Sequence, residues 1–338
     1  MNKIRLFLGF LLAVVFLYFF IRNIDLRQVW MVIRQGDPYW LSFAVIFTLF
    51  NYFMRALRWR YFFLPIKRTK ISNLFTTTVI GFAASTLFPA KIGELVRPYL
   101  LGTKENISRS SALATVVVER VFDSLTILLL LVFYLFFLAN PERLAPEAAN
   151  LLDELGRTGL VVFAIVAGLT VFLYYLKSKP VLMKKIAGKI DQWLPARIAH
   201  SLEEILDSFV DGLSILHDRK LLFTLSYWSI LFWLVICVGF WAGVRAYVPG
   251  FAFTGTFLIM ILLAIGIAVP TPGAVGSYHL ACKIGLMRFF AVSETQASAV
   301  ALVSHFIAFV PITILGVFFL WREGLSASKL TKLAQKGE

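Results

Sequence analysis

The chain has few charged residues, two cysteines and none of the short motifs that mark common soluble enzymes. Charged residues make up 15% of its 338 residues, and the sequence contains no HExxH, GxSxG, P-loop or GxGxxG pattern. Cys237 and Cys282 are isolated and form no CxxC pair, so they indicate neither a disulfide framework nor a metal site. We therefore predict no metal, no cofactor and no catalytic residue.

Apolar residues are present in large excess. They make up 59% of the chain, against about 45–50% in soluble proteins. The sequence therefore predicts an all-α polytopic integral membrane protein. The first apolar run lacks a cleavage site of small residues, so we interpret it as an uncleaved anchor. The uncharged runs that are long enough for the ~30 Å hydrocarbon core are Leu6–Ile21, Tyr39–Met54, Ile71–Ala90, Ser124–Ala139, Gly159–Leu176, Leu221–Val244, Ala252–Val269 and Gln296–Leu320.

The net charge of +14 comes from basic residues between the apolar runs. This distribution is typical of the positive-inside rule and does not indicate nucleic-acid binding. If Ile71–Ala90 and Ala252–Val269 both cross the bilayer, basic residues divide almost evenly between its two sides. If both segments enter and leave on one side, the cytoplasmic side has about three times as many basic residues as the outside. The charges therefore predict about six full spans and two re-entrant helical hairpins, with both termini cytoplasmic.

The two predicted hairpins, at about 73–101 and 252–292, follow spans that run in opposite directions. This arrangement is typical of an inverted repeat, and a weak PxxxG echo begins at Pro89 and again at Pro272. We expect a single domain over residues 1–338. Its predicted parts are a first half at about 39–176, cytoplasmic interfacial helices at 177–220 and a second half at about 221–321.

Proline and glycine residues predict a helix break in each hairpin. A broken helix exposes free N–H groups and the positive end of its dipole, which attract anions. Two such ends near the midplane would form an anion site, and plain packing of the hairpins is the alternative. Ser277 is expected to cap the second half-helix, which is predicted to run to Phe290. The residues of the two breaks are Pro89, Gly93, Pro270, Pro272, Gly273 and Gly276.

Charged residues also occur inside or beside the apolar runs, where each costs at least ~2.5 kcal/mol and usually faces a cavity or a partner. Glu119 and Asp123 share a helix face, and Arg120 and Asp123 are spaced to pair at i, i+3. We interpret the basic residues Arg55, Arg58, Lys91 and Arg97 as a phosphate-binding cluster. In this interpretation Glu94, Glu119 and Asp123 organise the cluster or carry a proton. Interfacial anchoring is the alternative for the residues near the ends of the apolar runs.

Two histidines, His279 on the second half-helix and His305 in the last span, are candidates for proton transfer because neutral histidine can shuttle protons. The alternative is a hydrogen bond from each ring to a neighbouring group. Together with Ser277, they complete the predicted substrate-binding residues.

Several segments resemble the flippase-like membrane proteins related to the transmembrane region of lysylphosphatidylglycerol synthase. They are NYFMRALRWR (51–60), FPAKIGELVRPYLL (88–101), VVVERVFD (116–123), PTPGAVGSYHLA (270–281) and PITILGVFFL (311–320). The resemblance covers almost the whole chain and implies lipid translocation. Two positions depart from the family pattern, since His279 stands where an acidic residue is common and His305 where arginine is often found.

Three classes of function compete. The first is a transporter that moves an anionic lipid, or a lipid of the polyprenyl-phosphate type, between the leaflets of the cell's inner (cytoplasmic) membrane. The second is a non-catalytic accessory subunit or scaffold with a protein partner in envelope glycolipid synthesis. The third is an enzyme like the synthase, which would need a soluble catalytic domain, whereas this sequence ends about twenty residues after its last apolar run. We expect the first class and no enzymatic activity.

Overall fold

The computed structural model describes residues 3–22, 24–88, 91–138, 148–178 and 218–325. These residues form helices and short connections and include no strand, so the predicted all-α class is confirmed. A π-helical turn at Tyr134–Leu138 extends α6, and a 3₁₀ turn at Pro272–Ala274 precedes α10. The helices are α1 (Lys3–Ile21), α2 (Leu26–Arg34), α3 (Pro38–Phe63), α4 (Ile71–Leu87), α5 (Gly93–Glu105), α6 (Arg109–Phe133), α7 (Ala148–Ser178), α8 (Arg219–Arg245), α9 (Gly255–Ala268), α10 (Ser277–Phe290) and α11 (Glu294–Arg322).

Five of the described helices are long and apolar enough to cross a membrane, which confirms a protein with several membrane-spanning helices. They are α3, α6, α7, α8 and α11. The pair α1 and α2 becomes a sixth span if the two helices, bent by 83° at their junction, are counted together. Asp25 restarts the chain as α2 because its carboxylate accepts hydrogen bonds from the N–H groups of Arg27 and Gln28. The exact membrane boundaries stay a prediction.

Helices α4 and α5 form the first hairpin, and two glycines allow their close approach. A Cβ atom on Gly93 would lie 1.7 Å from the carbonyl oxygen of Gly81, so only glycine fits at this crossing. The Glu105 carboxylate at the end of α5 accepts hydrogen bonds from Lys70 N (3.1 Å) and Asn73 Nδ2 (2.7 Å) at the start of α4. The hairpin therefore begins and ends at the same end of the molecule.

Helix α5 begins at Gly93, one of the two residues predicted for the first break. The other, Pro89, lies outside the described residues. Pro98 lies inside α5, which continues to Glu105.

Helices α9 and α10 form the second hairpin. A Cβ atom on Gly255, at the start of α9, would lie 2.9 Å from the ring of Phe290, at the end of α10, so the two ends of this hairpin also meet. Gly273 (φ 56°) and Gly276 (φ 82°) adopt left-handed backbone conformations that favour glycine.

The expected capping role of Ser277 is wrong. Gly276 is the N-cap residue and Ser277 is the first helical residue. The Ser277 hydroxyl instead donates to the carbonyl oxygen of Ala274 (3.3 Å) and lies 3.1 Å from the hydroxyl of Thr271. It therefore stabilises the turn that precedes the helix.

The two hairpins open toward opposite ends of α11. Lys104, in the last turn of α5, forms an ion pair with Glu323, just beyond the C-terminal end of α11. The second hairpin ends immediately before α11 begins, and α11 has 29 residues, which span about 43 Å at 1.5 Å per residue. The tips meet between these ends, where a Cβ atom on Gly273 would lie 3.3 Å from the carbonyl oxygen of Thr86.

The two halves contain the same order of elements, a long helix, a hairpin and a second long helix. Helix α3 packs on α8, α4 packs on α11, and α6 packs on α9, so contacts between the halves occur in matching pairs. A two-fold relation between the halves would produce this pattern. Re-entry into a membrane, the inverted orientation and the domain boundaries stay predictions. The predicted interfacial helices lie outside the described residues over 179–217.

Candidate functional site

A cavity of about 460 Å³ lies where the tips of the two hairpins meet. Helices α3, α4, α5 and α6 of the first half and α8, α9, α10 and α11 of the second half all contribute to its wall. One part of the wall is polar and charged, whereas another part is apolar. The charged lining residues are Arg55, Lys91, Glu94, Arg97, Arg120 and Asp123, and the apolar ones include Phe47, Phe240, Met260, Leu263, Ile267, Ile307 and Phe309.

Glu119 is the centre of the charged cluster, although it is fully buried behind the cavity wall. Its Oε1 atom accepts hydrogen bonds from Arg55 Nη1 (3.0 Å), Arg58 Nη2 (3.1 Å) and Arg120 Nη2 (2.9 Å). Its Oε2 atom accepts from Arg97 Nη1 (2.8 Å). One carboxylate therefore joins arginines from α3, α5 and α6.

Asp123 lies one turn after Glu119 and supports the same arginines. Arg58 Nη1 lies 2.7 Å from Asp123 Oδ1, which also accepts a hydrogen bond from Trp233 Nε1 at 3.2 Å. Arg120 Nη2 lies 3.2 Å from Asp123 Oδ2, which confirms the predicted i, i+3 pair. This second carboxylate therefore connects the cluster to α8.

The cluster is not electrically neutral. Four arginines surround two carboxylates, and Lys91 and Glu94 add one charge of each sign. Removing a charge from water costs several kcal/mol unless it is paired. Two positive charges therefore lack a counter-charge among the described residues.

Several buried N–H groups of these arginines have no acceptor among the described residues. They are Nε and Nη2 of Arg97 and Nε of Arg55, Arg58 and Arg120. Leaving a buried donor unpaired costs about 1–3 kcal/mol, and more for a charged group. Arg97, Arg55 and Arg120 line the cavity, so an anion inside it would supply acceptors for their N–H groups, whereas Arg58 lies behind the wall.

Aromatic rings hold the guanidinium groups in place. The Arg97 guanidinium lies 3.6 Å from the Trp59 ring centroid, and that of Arg55 lies between Phe82 (4.7 Å) and Phe232 (4.5 Å). Such cation–π contacts favour the charged group when it is desolvated. Sequence reasoning missed these aromatic residues because nothing distinguishes them from the many other aromatic residues in apolar helices.

The structure brings the predicted basic cluster together with its predicted acidic partners. Arg58 and Glu119 are fully buried and support the wall from behind. The remaining members, among them Lys91 and Glu94, face the cavity. Arg97 pairs with Glu119, and Glu94 has no ion-pair partner among the described residues. The cationic wall is therefore the main chemical property of this site.

The second hairpin contributes polar backbone and hydroxyl groups, but its His279 and the neighbouring His305 of α11 lie behind the cavity wall. The His279 and His305 rings are 4.3 Å apart between centroids. Nδ1 of His279 accepts a hydrogen bond from Gly276 N (3.2 Å), and Nε2 of His305 lies 2.8 Å from the carbonyl oxygen of Gly273. Both rings therefore satisfy the backbone of the break, and neither they nor Ser277 line the cavity. Pro270 and Pro272 flank Thr271, which does line it.

Across the ranges that the structure describes, no group of three or more His, Cys, Asp or Glu side chains is placed to hold a metal ion. The site can bind and orient an anion through arginine N–H groups. Its arginines are poor proton carriers because they stay charged in proteins.

Comparisons with known proteins place this chain among membrane proteins. It is 24% identical over 328 residues to "Glycosyltransferase AglD" of Haloferax volcanii, an alignment that covers 90% of this chain and 52% of that protein. The chain thus spans about half the length of this relative. It is 23% identical to a "UPF0104 membrane protein" of Methanothermobacter thermautotrophicus, with 94% of both chains covered. It is 21% identical to "UPF0104 membrane protein MJ1595" of Methanocaldococcus jannaschii, with 94% of this chain and 95% of that protein covered.

The sequence was also compared with models of protein families. The family model described as "Lysylphosphatidylglycerol synthase TM region" matches residues 6–316, nearly the whole chain. The expected resemblance is therefore confirmed, and this chain belongs to the lysylphosphatidylglycerol synthase TM region family.

Proposed function

We propose that this protein is a transporter that moves an anionic lipid, or a lipid-linked phosphate, between the leaflets of the cell's cytoplasmic membrane. The observation that carries the proposal is the cavity itself, which joins a cationic wall to an apolar wall. A lipid has the same two parts, because its phosphate is anionic and its chain is apolar.

The position of the cavity supports transport in addition to binding. In many transporters the substrate binds where two repeats meet, between broken helices, and the halves rock around the site. Here the tips of two hairpins from different halves meet at the cavity. Movement of α4 and α5 against α9 and α10 would expose the arginines to one side of the membrane and then to the other.

A second function has one observation in its favour. The relative from Haloferax volcanii is named a glycosyltransferase, and this chain aligns with about half of it. In this alternative the protein is a non-catalytic subunit that presents a lipid phosphate to a partner enzyme of envelope glycolipid synthesis. In both cases we propose that this chain is not itself the enzyme, since its matched region is the membrane region of a synthase family.

Lipid exchange in proteoliposomes tests the transporter. The fluorophore of an anionic lipid is chemically reduced in the outer leaflet. The rate at which lipid from the inner leaflet becomes accessible to the reductant is then measured. We expect the protein to accelerate exchange of the anionic lipid over that of a phosphatidylcholine probe. Gly243→Leu should slow the exchange about tenfold, the effect of a barrier raised by about 1.4 kcal/mol, because residue 243 lines the cavity and a larger side chain narrows it.

The matched control is Gly168→Leu on α7, where a Cβ atom would have no neighbour within 4 Å. This variant should exchange lipid at the parental rate. If the parent protein exchanges anionic lipid no faster than protein-free vesicles do, the transporter is excluded and the accessory subunit becomes the better proposal.

A further inference from the structure

We infer that the cavity selects a lipid phosphomonoester, a terminal phosphate on a long apolar chain, over phosphodiester lipids such as phosphatidylglycerol. This inference rests on the proposed function in one respect, since it names the lipid class that the same cavity would move. Charge, donor number and the shape of the wall each support it.

The charge of the cluster matches a doubly charged phosphate. Five basic and three acidic side chains line the cavity or support its wall, and the surplus is two positive charges. A phosphodiester has a single negative charge and would leave one positive charge unbalanced. A phosphomonoester has about −1.5 to −2 charges at pH 7, since its second pKa is about 6, and it would balance nearly both.

The unpaired donors point to the same ligand. Arg97 has two N–H positions without an acceptor, and Arg55 and Arg120 have one each. Arg97 is 3% exposed and Arg55 7% exposed, so the donors belong to a built site and not to an open surface. Arginine pairs with phosphate oxygens through two parallel N–H groups. A monoester presents three terminal oxygens to these donors, whereas a diester presents two.

The apolar wall indicates that the phosphate arrives on a lipid. Leu263, Ile267, Ile307 and Phe309 line the same cavity as the arginines. An inorganic phosphate would cover only the cationic wall. A long chain would also cover the apolar one, with a gain of about 25 cal/mol for each Å² removed from water.

Binding to four probes tests the inference. The purified protein in nanodiscs is titrated with phosphatidic acid, with phosphatidylglycerol of the same acyl chains, with a polyprenyl phosphate and with inorganic phosphate. We expect at least one lipid phosphomonoester to bind about tenfold more tightly than phosphatidylglycerol. The better of the two monoesters identifies the preferred chain. Inorganic phosphate is expected to bind at least as weakly as phosphatidylglycerol.

The pH dependence provides a second measurement. Lowering the pH from about 7.5 to about 5.5 removes the second charge of a monoester, whose second pKa is about 6, and should weaken its binding several-fold. Phosphatidylglycerol binding should stay constant. The ionisable groups that face the phosphate are arginines, Lys91, Glu94 and Asp123, with Tyr52 and Tyr278 elsewhere in the wall, and no histidine lines the described cavity.

Two variants test the charge match. Arg120→Gln lowers the surplus by one charge, and because the Arg120 side chain is 37% exposed, the variant is expected to fold. It should reduce the preference for the monoester to less than about threefold. Arg60→Gln removes one charge from an exposed position at the end of α3 and should keep the full preference.

Phosphatidylglycerol that binds as tightly as both monoesters would overturn the inference and leave the proposed transporter intact. A monoester that binds tightly but does not exchange between leaflets would overturn the transporter and leave the inference intact. Tight binding of inorganic phosphate, equal to that of the lipids, would show that the ligand is soluble and would also overturn the inference.

Discussion

At the scale of the residue, Glu119 has the central role because one buried carboxylate accepts hydrogen bonds from four arginines. Removing one partner of a buried ion pair is strongly destabilising, since the other charge stays buried without compensation. The four guanidinium groups also repel one another and depend on Glu119 and Asp123 for their positions. Glu119 therefore holds the guanidinium groups in position, and those of Arg55, Arg97 and Arg120 line the cavity.

Arg97→Lys is expected to weaken binding of anionic lipid while the protein stays folded and inserted. A lysine ammonium can keep the contact with Glu119, but it loses the stacking on Trp59 and the second guanidinium N–H group, which has no acceptor among the described residues. The expected loss is roughly the 1.5–3 kcal/mol of a hydrogen bond to a charged group. Titration of phosphatidic acid in nanodiscs and the thermal unfolding temperature measure the two effects separately.

Arg60→Lys, at an exposed position of α3, is the matched control and should leave both measurements unchanged. Undiminished lipid binding by a folded Arg97→Lys protein would show that Arg97 serves the fold and not a ligand.

At the scale of the element, each hairpin depends on glycine where two backbones approach. Gly93 faces the backbone of Gly81 in the first hairpin, and Gly266 faces Ser277 and Ala281 in the second. These close crossings bring the tips together and place the first turn of α5 in the wall of the cavity. In the second break, His279 and His305 hydrogen-bond to the backbone of Gly276 and Gly273, so neighbouring side chains satisfy backbone groups that the helix leaves unpaired.

Gly93→Ala is expected to destabilise the protein. Its Cβ atom would lie 1.7 Å from the carbonyl oxygen of Gly81, and since that atom belongs to the backbone the two helices must separate. Overpacking of this kind costs roughly 1–3 kcal/mol. The shift should appear as a lower unfolding temperature in detergent, together with weaker lipid binding because Arg97 moves with α5.

Gly168→Ala is the control, because it adds the same methyl group to an exposed position of α7 with no neighbour within 4 Å. It should be neutral or slightly stabilising, since alanine favours a helix over glycine by about 1 kcal/mol. Equal unfolding temperatures for the two variants would contradict the close crossing.

At the scale of the whole molecule, the two hairpins open at opposite ends and meet between them. The ion pair of Lys104 with Glu323 fixes the base of the first hairpin beside the C-terminal end of α11. Gln296, in the first turn of α11, donates a hydrogen bond to the carbonyl oxygen of Tyr247 near the base of the second. This geometry explains how two short hairpins can form one cavity that both halves share.

Cysteine labelling tests the orientation of this arrangement in the membrane. Thr103→Cys, near the end of α5, should react with a membrane-impermeant maleimide only from the cytoplasm, and Asn150→Cys, at the start of α7, only from outside. Both positions are exposed, and α6 separates them. The natural Cys237 and Cys282 are free and buried, so the parent protein provides a background with little labelling.

Labelling of residue 103 from outside would mean that α4 crosses the membrane completely. The re-entrant hairpin and the inverted repeat would then both be wrong. Detection of both cysteines from one side only would contradict a full span by α6.

Local patterns in the sequence determined the class of the protein and much of its helical plan. Long uncharged runs form helices that can cross a membrane because no water is present there to satisfy other backbone structures. Residues of the predicted breaks, such as Gly273 and Gly276, lie at the break because their left-handed backbone favours glycine. The pair of Arg120 with Asp123 was also predictable, since residues three apart share a helix face.

The tertiary structure alone decided how the charges pair and which of them reach the cavity. Arg55 and Arg97 meet Glu119 across 64 and 22 residues of sequence, and no local period specifies which faces of distant helices come into contact. The same holds for Trp59 and Phe232, which support the guanidinium groups, and for His305, which bonds to the backbone of the break. The periodic pattern of one helix shows which of its own residues share a face. It does not show which other helix that face contacts, and a charge is tolerated in the interior only where partners from other helices compensate it.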